Sequence, residues 1–444
     1  MNVSRTVVLL SFDQLLAEGY IRGVRGSGTV VVDGVPEGHE RIVRNGVPRL
    51  SIAPPILSDY ATRLLAELSS QPRGPALQRD THLYDFHYGN REPVDFPYRL
   101  WHRLASRRMA RAVPTRSPTS GFRPLTEALA AYLGRTRGVR CEPNQILIVN
   151  GSQQALDLLA RILVNPGDDV ILEEPHYHGA RLAFGAVGAK LVPVGVDEDG
   201  IRVDDLKRRR RPTRAVYVTP SHQFPTGAVL SLPRRLALID WVERQSAFLV
   251  EDDYDGELRY DCRPIEAVQA LDRAGRVIYI GTFSKALSPE LRIGYVVAPP
   301  QLVDALTAAK RVADLFAPTM LQEVLADFLI EGHYERHLRR LRERNAARRR
   351  ALLEASAAHL GNRAVIAGIK AGMHAMLWLP TVPLRDLPTL VRRAERASVL
   401  VYANTNYYLG QPARSGVVLS FSSLSEAEID EGIRILGKVI RSRW

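Results

Sequence analysis

At 444 residues the chain exceeds what one hydrophobic core usually holds, so at least two domains are expected. Hydrophobic residues at 45% and charged residues at 24% describe an ordinary globular protein. No run of about 18 apolar residues is present to span a bilayer, and the short apolar stretch at the N-terminus is interrupted by Asp13 and Glu18 with no small-residue cleavage site after it, so a cytoplasmic protein is expected. The formal charge of +12 admits nucleic-acid contact without requiring it, and the two cysteines, Cys141 and Cys262, stand in no CxxC or Cys/His cluster that would hold zinc.

Residues 4–33 read as a helix, "SRTVVLLSFDQLLAEGY", with Ser4 as its N-cap, followed by two short strands around the Gly-rich turn of "IRGVRGSGTVVV". The stretch 34–85, with scattered Pro and Gly, reads as a linker carrying one helix at "SDYATRLLAELSS". From Phe86 to about residue 330, the apolar runs "QILIVN", "DVILEE", "KLVPVGV", "AVYVTP", "AFLVEDD", "VIYIG" and "IGYVVA" alternate with helical patterns. That alternation predicts an α/β domain with a largely parallel sheet. Residues 331–444 open with a long basic helix and continue with "HAMLWLP", "VVLSFSS" and the helix "SEAEIDEGIRILGKVI", the pattern of a smaller α/β lobe. The basic runs "KRRRRPTR" and "RHLRRLRERNAARRR" read as solvated faces; in the second, Leu338, Leu341 and Ala347 fall near helical spacing.

Parallel α/β sheets bind ligands beyond the carboxyl ends of their strands, so the residues after each apolar run are the candidates for chemistry. "NGSQQAL" offers a Gly-Ser turn opening a helix, where Ser152 and the Gln153 amide meet the positive helix end and suit a phosphate. "EDDYDGELRY" is acidic and admits metal ligands, a solvated turn, or a carboxylate against a cationic ring; without a paired histidine the metal reading is poor. "GTFSKALSPELR" places Lys285 just past a strand, with Arg292 following. A lysine buried there has a depressed pKa and becomes a nucleophilic amine, and its standard partner is a carbonyl. An amine, a carboxylate and an anion site together are what pyridoxal phosphate (PLP) chemistry requires of a protein.

The ordered set GSQQAL, EEPHYHGAR, PSHQFPTG, EDDYDGELRY and GTFSKALSPELRIGY resembles the fold-type I aminotransferase domain of MocR-type regulators, a subfamily of GntR proteins. Residues 1–33 are similar to the back part of a GntR winged helix-turn-helix, with "SRTVV" opening the recognition helix and "EGYIRGVRGSGTVV" the wing. The resemblance implies a partial winged-helix DNA-binding domain over 1–33, a linker over 34–85, a PLP-binding large domain over 86–330 and a small C-terminal lobe over 331–444.

It further implies roles by position. Lys285 would condense with the aldehyde of PLP, Asp252 would keep the pyridine nitrogen protonated, Tyr254 would bond the phenolic oxygen, and Tyr177 would stack on the ring. Ser152, Gln153, Thr282, Ser284 and Arg292 would hold the phosphate. Ser4, Arg5, Arg22 and Arg25 would lie at the DNA, and a homodimer is expected. The function implied is a PLP-binding transcription regulator that senses an amine effector, or PLP itself, and acts on a DNA operator.

Three departures qualify this. The turn that usually reads NPTG has Phe224 in "HQFPTG", as MocR-type domains do. Val418 in "VVLSFSSLSE" stands where the family often has an arginine that grips an amino-acid carboxylate, with Arg414 near enough in sequence to compensate. The sequence also enters the winged helix part-way, so either an upstream segment completes the motif or the DNA-binding unit has decayed; Val7, Leu10, Phe12, Leu15 and Leu16, an apolar face with little to cover it, favour the first. A free-standing PLP-dependent aminotransferase or related amino-group enzyme, acting on a substrate without the usual carboxylate, is the alternative.

Overall fold

The computed structural model describes residues 3–32, 55–69, 84–88, 95–110, 117–260 and 265–444. Cys262 and most of the 34–85 stretch lie outside them. The chain divides into two units, Met1–Ile56 and Leu57–Trp444.

In the first unit, helix α1 (Arg5–Ala17) is capped by Ser4, whose hydroxyl accepts the Val7 amide at 3.4 Å. An antiparallel hairpin of β1 (Ile21–Val24) and β2 (Gly28–Val31) follows. Val7, Leu10, Phe12, Leu15 and Leu16 are all exposed.

The second unit opens with α2 (Asp59–Ser69), β3 (Tyr84–Asp85), α3 (Tyr98–Met109) and α4 (Arg123–Arg137). Its centre is an eight-stranded sheet of β4 (Ile146–Val149), β5 (Asp169–Glu174), β6 (Lys190–Asp197), β7 (Gly200–Ile201), β8 (Thr213–Val218), β9 (Phe248–Asp253), β10 (Val277–Thr282) and β11 (Gly294–Val297). The spatial order is β4-β11-β10-β9-β8-β5-β6-β7. From β10 through β9, β8 and β5 to β6 the pairing is parallel, while β11 runs antiparallel to both of its neighbours.

Strands such as Val170–Ile171–Leu172 bury successive side chains on both faces. Continuous apolar runs are what a sheet covered by helices on each side demands. The covering helices are α5 (Ser152–Leu163), α6 (His178–Ala186), α7 (Val203–Lys207), α8 (Leu232–Arg244), α9 (Val268–Leu271), α10 (Val303–Asp314) and α11 (Thr319–Ile330).

The long basic helix α12 (His333–His359) bridges two cores. Tyr334 and Leu338 pack into the large-domain core, whereas Leu352 and Ala355 pack into the small lobe. That lobe holds β12 (Val365–Ala367), β13 (His374–Trp378), α13 (Leu387–Arg396), β14 (Val399–Leu400), β15 (Tyr402–Ala403), β16 (Gly416–Ser420) and α14 (Glu426–Arg441). Ser425 and Glu428 form a reciprocal capping box that starts α14. In the antiparallel sheet β12-β13-β16-β15, Ala375, Leu377, Val417 and Leu419 face the lobe's own core. Cross-strand partners share a face, so His374, Met376, Val418 and Ser420 lie on the opposite one.

Two segments depart from the boundaries read in the sequence. The 34–85 stretch is not linker throughout: α2 is docked on α6, with Arg181 Nε 2.7 Å from Glu67 and Arg63 Nε bonded to the Ala186 carbonyl. Residues 84–86 belong to the small lobe rather than to the linker or the large domain. β3 pairs in parallel with β14, and Phe86, fully buried in the lobe's core, exchanges backbone bonds with Leu400 and Ser420. A short strand returning across some 300 residues carries no local mark in the sequence.

Candidate active site

The carboxyl ends of β4, β8, β9 and β10 converge on a cavity of about 380 Å³. Ser152, Gln153, Tyr177, Asp252, Tyr254, Thr282, Ser284, Lys285 and Arg292 all line it, so every cofactor residue singled out in the sequence meets at one place.

Lys285 follows β10, and its ammonium lies 4.0 Å from the centre of the Tyr88 ring. Burial pulls its pKa down to about 8; the Asp255 and Asp252 carboxylates oppose that pull and Arg292 adds to it. Asp252, at the end of β9, accepts the Tyr217 hydroxyl at 2.8 Å through Oδ2. Its Oδ1 is buried without a hydrogen-bond partner among the described residues. Burial pushes this carboxyl up to about 7. An unpartnered buried carboxylate oxygen is expensive unless a donor arrives, and a pyridinium N–H is such a donor.

The other end of the cavity is built for an anion. Gly151, with φ of +84°, turns the chain from β4 into α5, so that the first helical amides at Ser152 and Gln153 open on it. A Cβ at Gly151 would lie 2.7 Å from Arg292 Nη2, so the guanidinium packs where only glycine leaves room. Arg292, itself left-handed at φ 49°, donates to the Asn150 carbonyl at 3.0 Å. Thr282 Oγ1 accepts the Ser284 amide at 3.1 Å and forms the turn that presents both hydroxyls. The Gln153 side chain donates to the Gly179 carbonyl and is engaged away from the cavity's anion end.

Tyr254 is otherwise engaged than its position implies. Its hydroxyl donates to the His222 carbonyl at 2.7 Å and sits 3.2 Å from His222 Nδ1. His222 in turn has Nδ1 2.9 Å from Asp255 and Nε2 3.0 Å from the Gly368 carbonyl. Both ring nitrogens thus face acceptors. Burial opposes the charged ring, the Asp255 carboxylate outweighs it, and the His222 pKa is raised. With His374, His222 and Asp255 form the one His/Asp group of metal-binding proximity among the described residues, with both His222 ring nitrogens turned to protein oxygens.

Of the aromatic wall, the sequence reading named Tyr177 and noted Phe224 but missed Tyr88 and Tyr407. Tyr88, Phe224, Tyr177 and Tyr407 enclose the cavity, with Tyr177 and Tyr407 each edge-on to Phe224 at 5.9 and 5.2 Å. Tyr407 comes from the small lobe, where nothing in its neighbourhood marks it. Its loop is pinned to the large domain by Glu174, which accepts the Leu409 and Gly410 amides. Tyr217 lies on β8, the strand beside β9, where it pairs with Val250, two residues before Asp252 and so on the same face of the sheet.

Val418 is buried with Met376 and Trp378 in an apolar cluster that Tyr407 packs against. Arg414 stacks its guanidinium 3.7 Å from the centre of the Trp378 ring and is absent from the cavity lining. Ser4, Arg5, Arg22 and Arg25 are exposed on α1, its cap and the hairpin of the first unit.

The aminotransferase class I and II family model matches residues 98–435. The probable rhizopine catabolism regulatory protein MocR of Rhizobium meliloti is 38% identical over 98% of this chain and 86% of its own length. The HTH-type pyridoxine biosynthesis transcriptional regulator PdxR of Corynebacterium glutamicum is 30% identical over 98% of this chain and 89% of its own. Among solved structures, LysN, the α-aminoadipate aminotransferase of Thermus thermophilus complexed with a phosphopyridoxyl-leucine adduct, superposes with a TM-score of 0.77 at 30% identity. It covers 87% of this chain and 97% of that one. The chain therefore belongs to the MocR-type GntR transcription regulators, and it carries a fold-type I aminotransferase domain whose cofactor is pyridoxal 5'-phosphate.

Proposed function

We propose that this domain is the sensor of the regulator, capturing an amine effector on PLP, or registering PLP itself, and thereby changing how the N-terminal unit engages an operator. One observation carries the reading: Lys285, the unpartnered oxygen of Asp252 and the α5 amides with Arg292 face a single cavity. When bound, the cofactor supplies an aldehyde for amine capture on an electron-withdrawing ring. In this assignment Lys285 offers the amine that holds it, and Asp252 keeps a proton at the pyridine nitrogen. Ser152, Gln153, Thr282, Ser284 and Arg292 bind the phosphate, and Tyr177 covers the ring. Tyr254 reaches the phenolic oxygen once its hydroxyl leaves the His222 carbonyl. Ser4, Arg5, Arg22 and Arg25 contact DNA phosphates, and the working form is a homodimer.

Val418 stands in a buried apolar cluster behind Tyr407, outside the cavity lining, so no guanidinium is supplied from that position; since one charge-assisted pair to a carboxylate is worth roughly 1.5–3 kcal/mol, effectors without an α-carboxylate are favoured. For sensing, the ligand must bind two arrangements of the protein unequally. The test is to load the full chain with PLP, select operator DNA from a random pool, and titrate amines and α-amino acids. The expected result is a change in visible absorbance and a shift in DNA affinity with simple amines. Steady transamination with no effect of any ligand on DNA affinity would instead establish the free-standing enzyme.

A further inference from the structure

We infer that Lys310 and Asp314 are positioning residues for the phosphate end of the PLP site, acting through Asn150 and Gln154. The inference rests on the PLP reading above and adds residues that lie outside the cavity lining.

Lysine normally keeps its ammonium in water, yet the Lys310 side chain is 0% exposed. Its Nζ lies 2.8 Å from both carboxylate oxygens of Asp314, one turn further along α10, and 3.5 Å from Gln154 Oε1. Asp314 Oδ2 also accepts the side-chain amides of Asn150 and Gln154, each at 2.8 Å, and Gln154 Oε1 accepts the Asn150 backbone amide at 2.8 Å. With the Asn150 carbonyl taken by Arg292, Asn150 is gripped at its amide, its side chain and its carbonyl.

Asn150 is the residue before the Gly151 turn, so its orientation sets the direction of the Ser152 and Gln153 amides. The same residue ties Arg292, the other half of the anion site. An ion pair serving only α10 would not need to accept two side-chain amides from the β4–α5 segment.

The pairing also explains why a lysine is buried here. A carboxylate is the acceptor that holds two amide donors most firmly, but an uncompensated one just behind a phosphate site would repel the dianion. Lys310 cancels that charge while leaving the acceptor geometry in place. The result is a pre-aimed anion site that needs no reorganisation on binding.

The test compares ligands with and without the phosphate. The full chain, stripped of cofactor, is titrated with PLP, with pyridoxal and with inorganic phosphate as a competitor, for the wild type, Asp314→Asn, and Lys310→Met combined with Asp314→Asn. The PLP dissociation constant is expected to rise on the order of tenfold in the variants, with pyridoxal binding unchanged and phosphate competition weakened. Gln154→Met leaves the ion pair intact and must show the same selective loss, which answers the question should Asp314→Asn fail to fold. Equal losses for PLP and pyridoxal, or no loss for either, would overturn the inference. A wild type that binds neither ligand would instead overturn the PLP reading.

Discussion

Replacing Asp252 by Asn should weaken the cofactor and strengthen the empty protein. The substitution keeps the shape and the bond from Tyr217 and removes only the charge. A hydrogen bond between charged groups in a buried site is worth about 1.5–3 kcal/mol, which corresponds to a PLP dissociation constant roughly 10- to 100-fold higher.

Stability moves the other way. Burial raises the Asp252 carboxyl from 3.8 to about 7, so holding it ionised inside the empty fold costs on the order of 4 kcal/mol as an upper figure. The sign follows from linkage. The folded-state pKa lies above the unfolded one, so the penalty is absent below about pH 4, grows as the pH rises, and is complete above about pH 7. Thermal melts of cofactor-free protein should therefore show Asp252→Asn more stable than wild type at pH 8, with the gap closing toward pH 4. Spectrophotometric titration with PLP supplies the other half. A variant that melts lower at pH 8, or that binds PLP as the wild type does, would refute the assignment of the free oxygen to the pyridine nitrogen.

The Lys285 amine, pulled down to about 8, should give a rate of covalent PLP attachment that rises with pH to a midpoint near 8; a stopped-flow profile still climbing toward an ordinary lysine value would contradict its burial. Gly227→Ala should destabilise the second unit by about 3 kcal/mol, since its Cβ would lie 2.2 Å from the Gly368 Cα at a φ of +71°, and denaturant unfolding reads the loss directly. Arg5→Ala should weaken DNA binding and lower the salt slope by about 0.9; an unchanged slope would remove Arg5 from the DNA interface.

The sequence disclosed the strands and much of the site for one physical reason. Doubly covered strands are apolar throughout, and the residues that follow them, whatever their separation along the chain, must gather at one edge of the sheet. Lys285, Asp252 and Ser152 were legible on that ground. The antiparallel course of β11 was not, because "IGYVVA" reads the same in either direction; its orientation comes from the short β10–β11 connection that carries Lys285 and Arg292. Tyr407 and Phe86 depend on contacts from distant segments. Lys310 sits in "ALTAAKRVADL", where a lysine on a helix looks like any solvated charge until α5 is packed against it. The hydroxyl of Tyr254 illustrates a different limit: residue type gives the donor, and only the fold shows that it is spent on His222.

The cavity is walled by both lobes of the second unit, and this bears on how a ligand there can be sensed. Phe224 and Tyr254 come from the large domain, Tyr407 from the small lobe, and the two lobes are tied beside the cavity by His222 to the Gly368 carbonyl and by Glu174 to the Leu409 and Gly410 amides. A ligand that shifts Tyr254 off the His222 carbonyl alters a residue already bonded to the small lobe. A ligand that moves Tyr407 pulls on a loop held by a buried-side carboxylate. Both contacts bridge the two lobes, and packed lobes change arrangement in steps rather than by degrees. The interactions that select the ligand are thus also interactions between the lobes. An effector with different contacts to Phe224, Tyr254 or Tyr407 in two lobe arrangements has the differential affinity that sensing requires, without any further device.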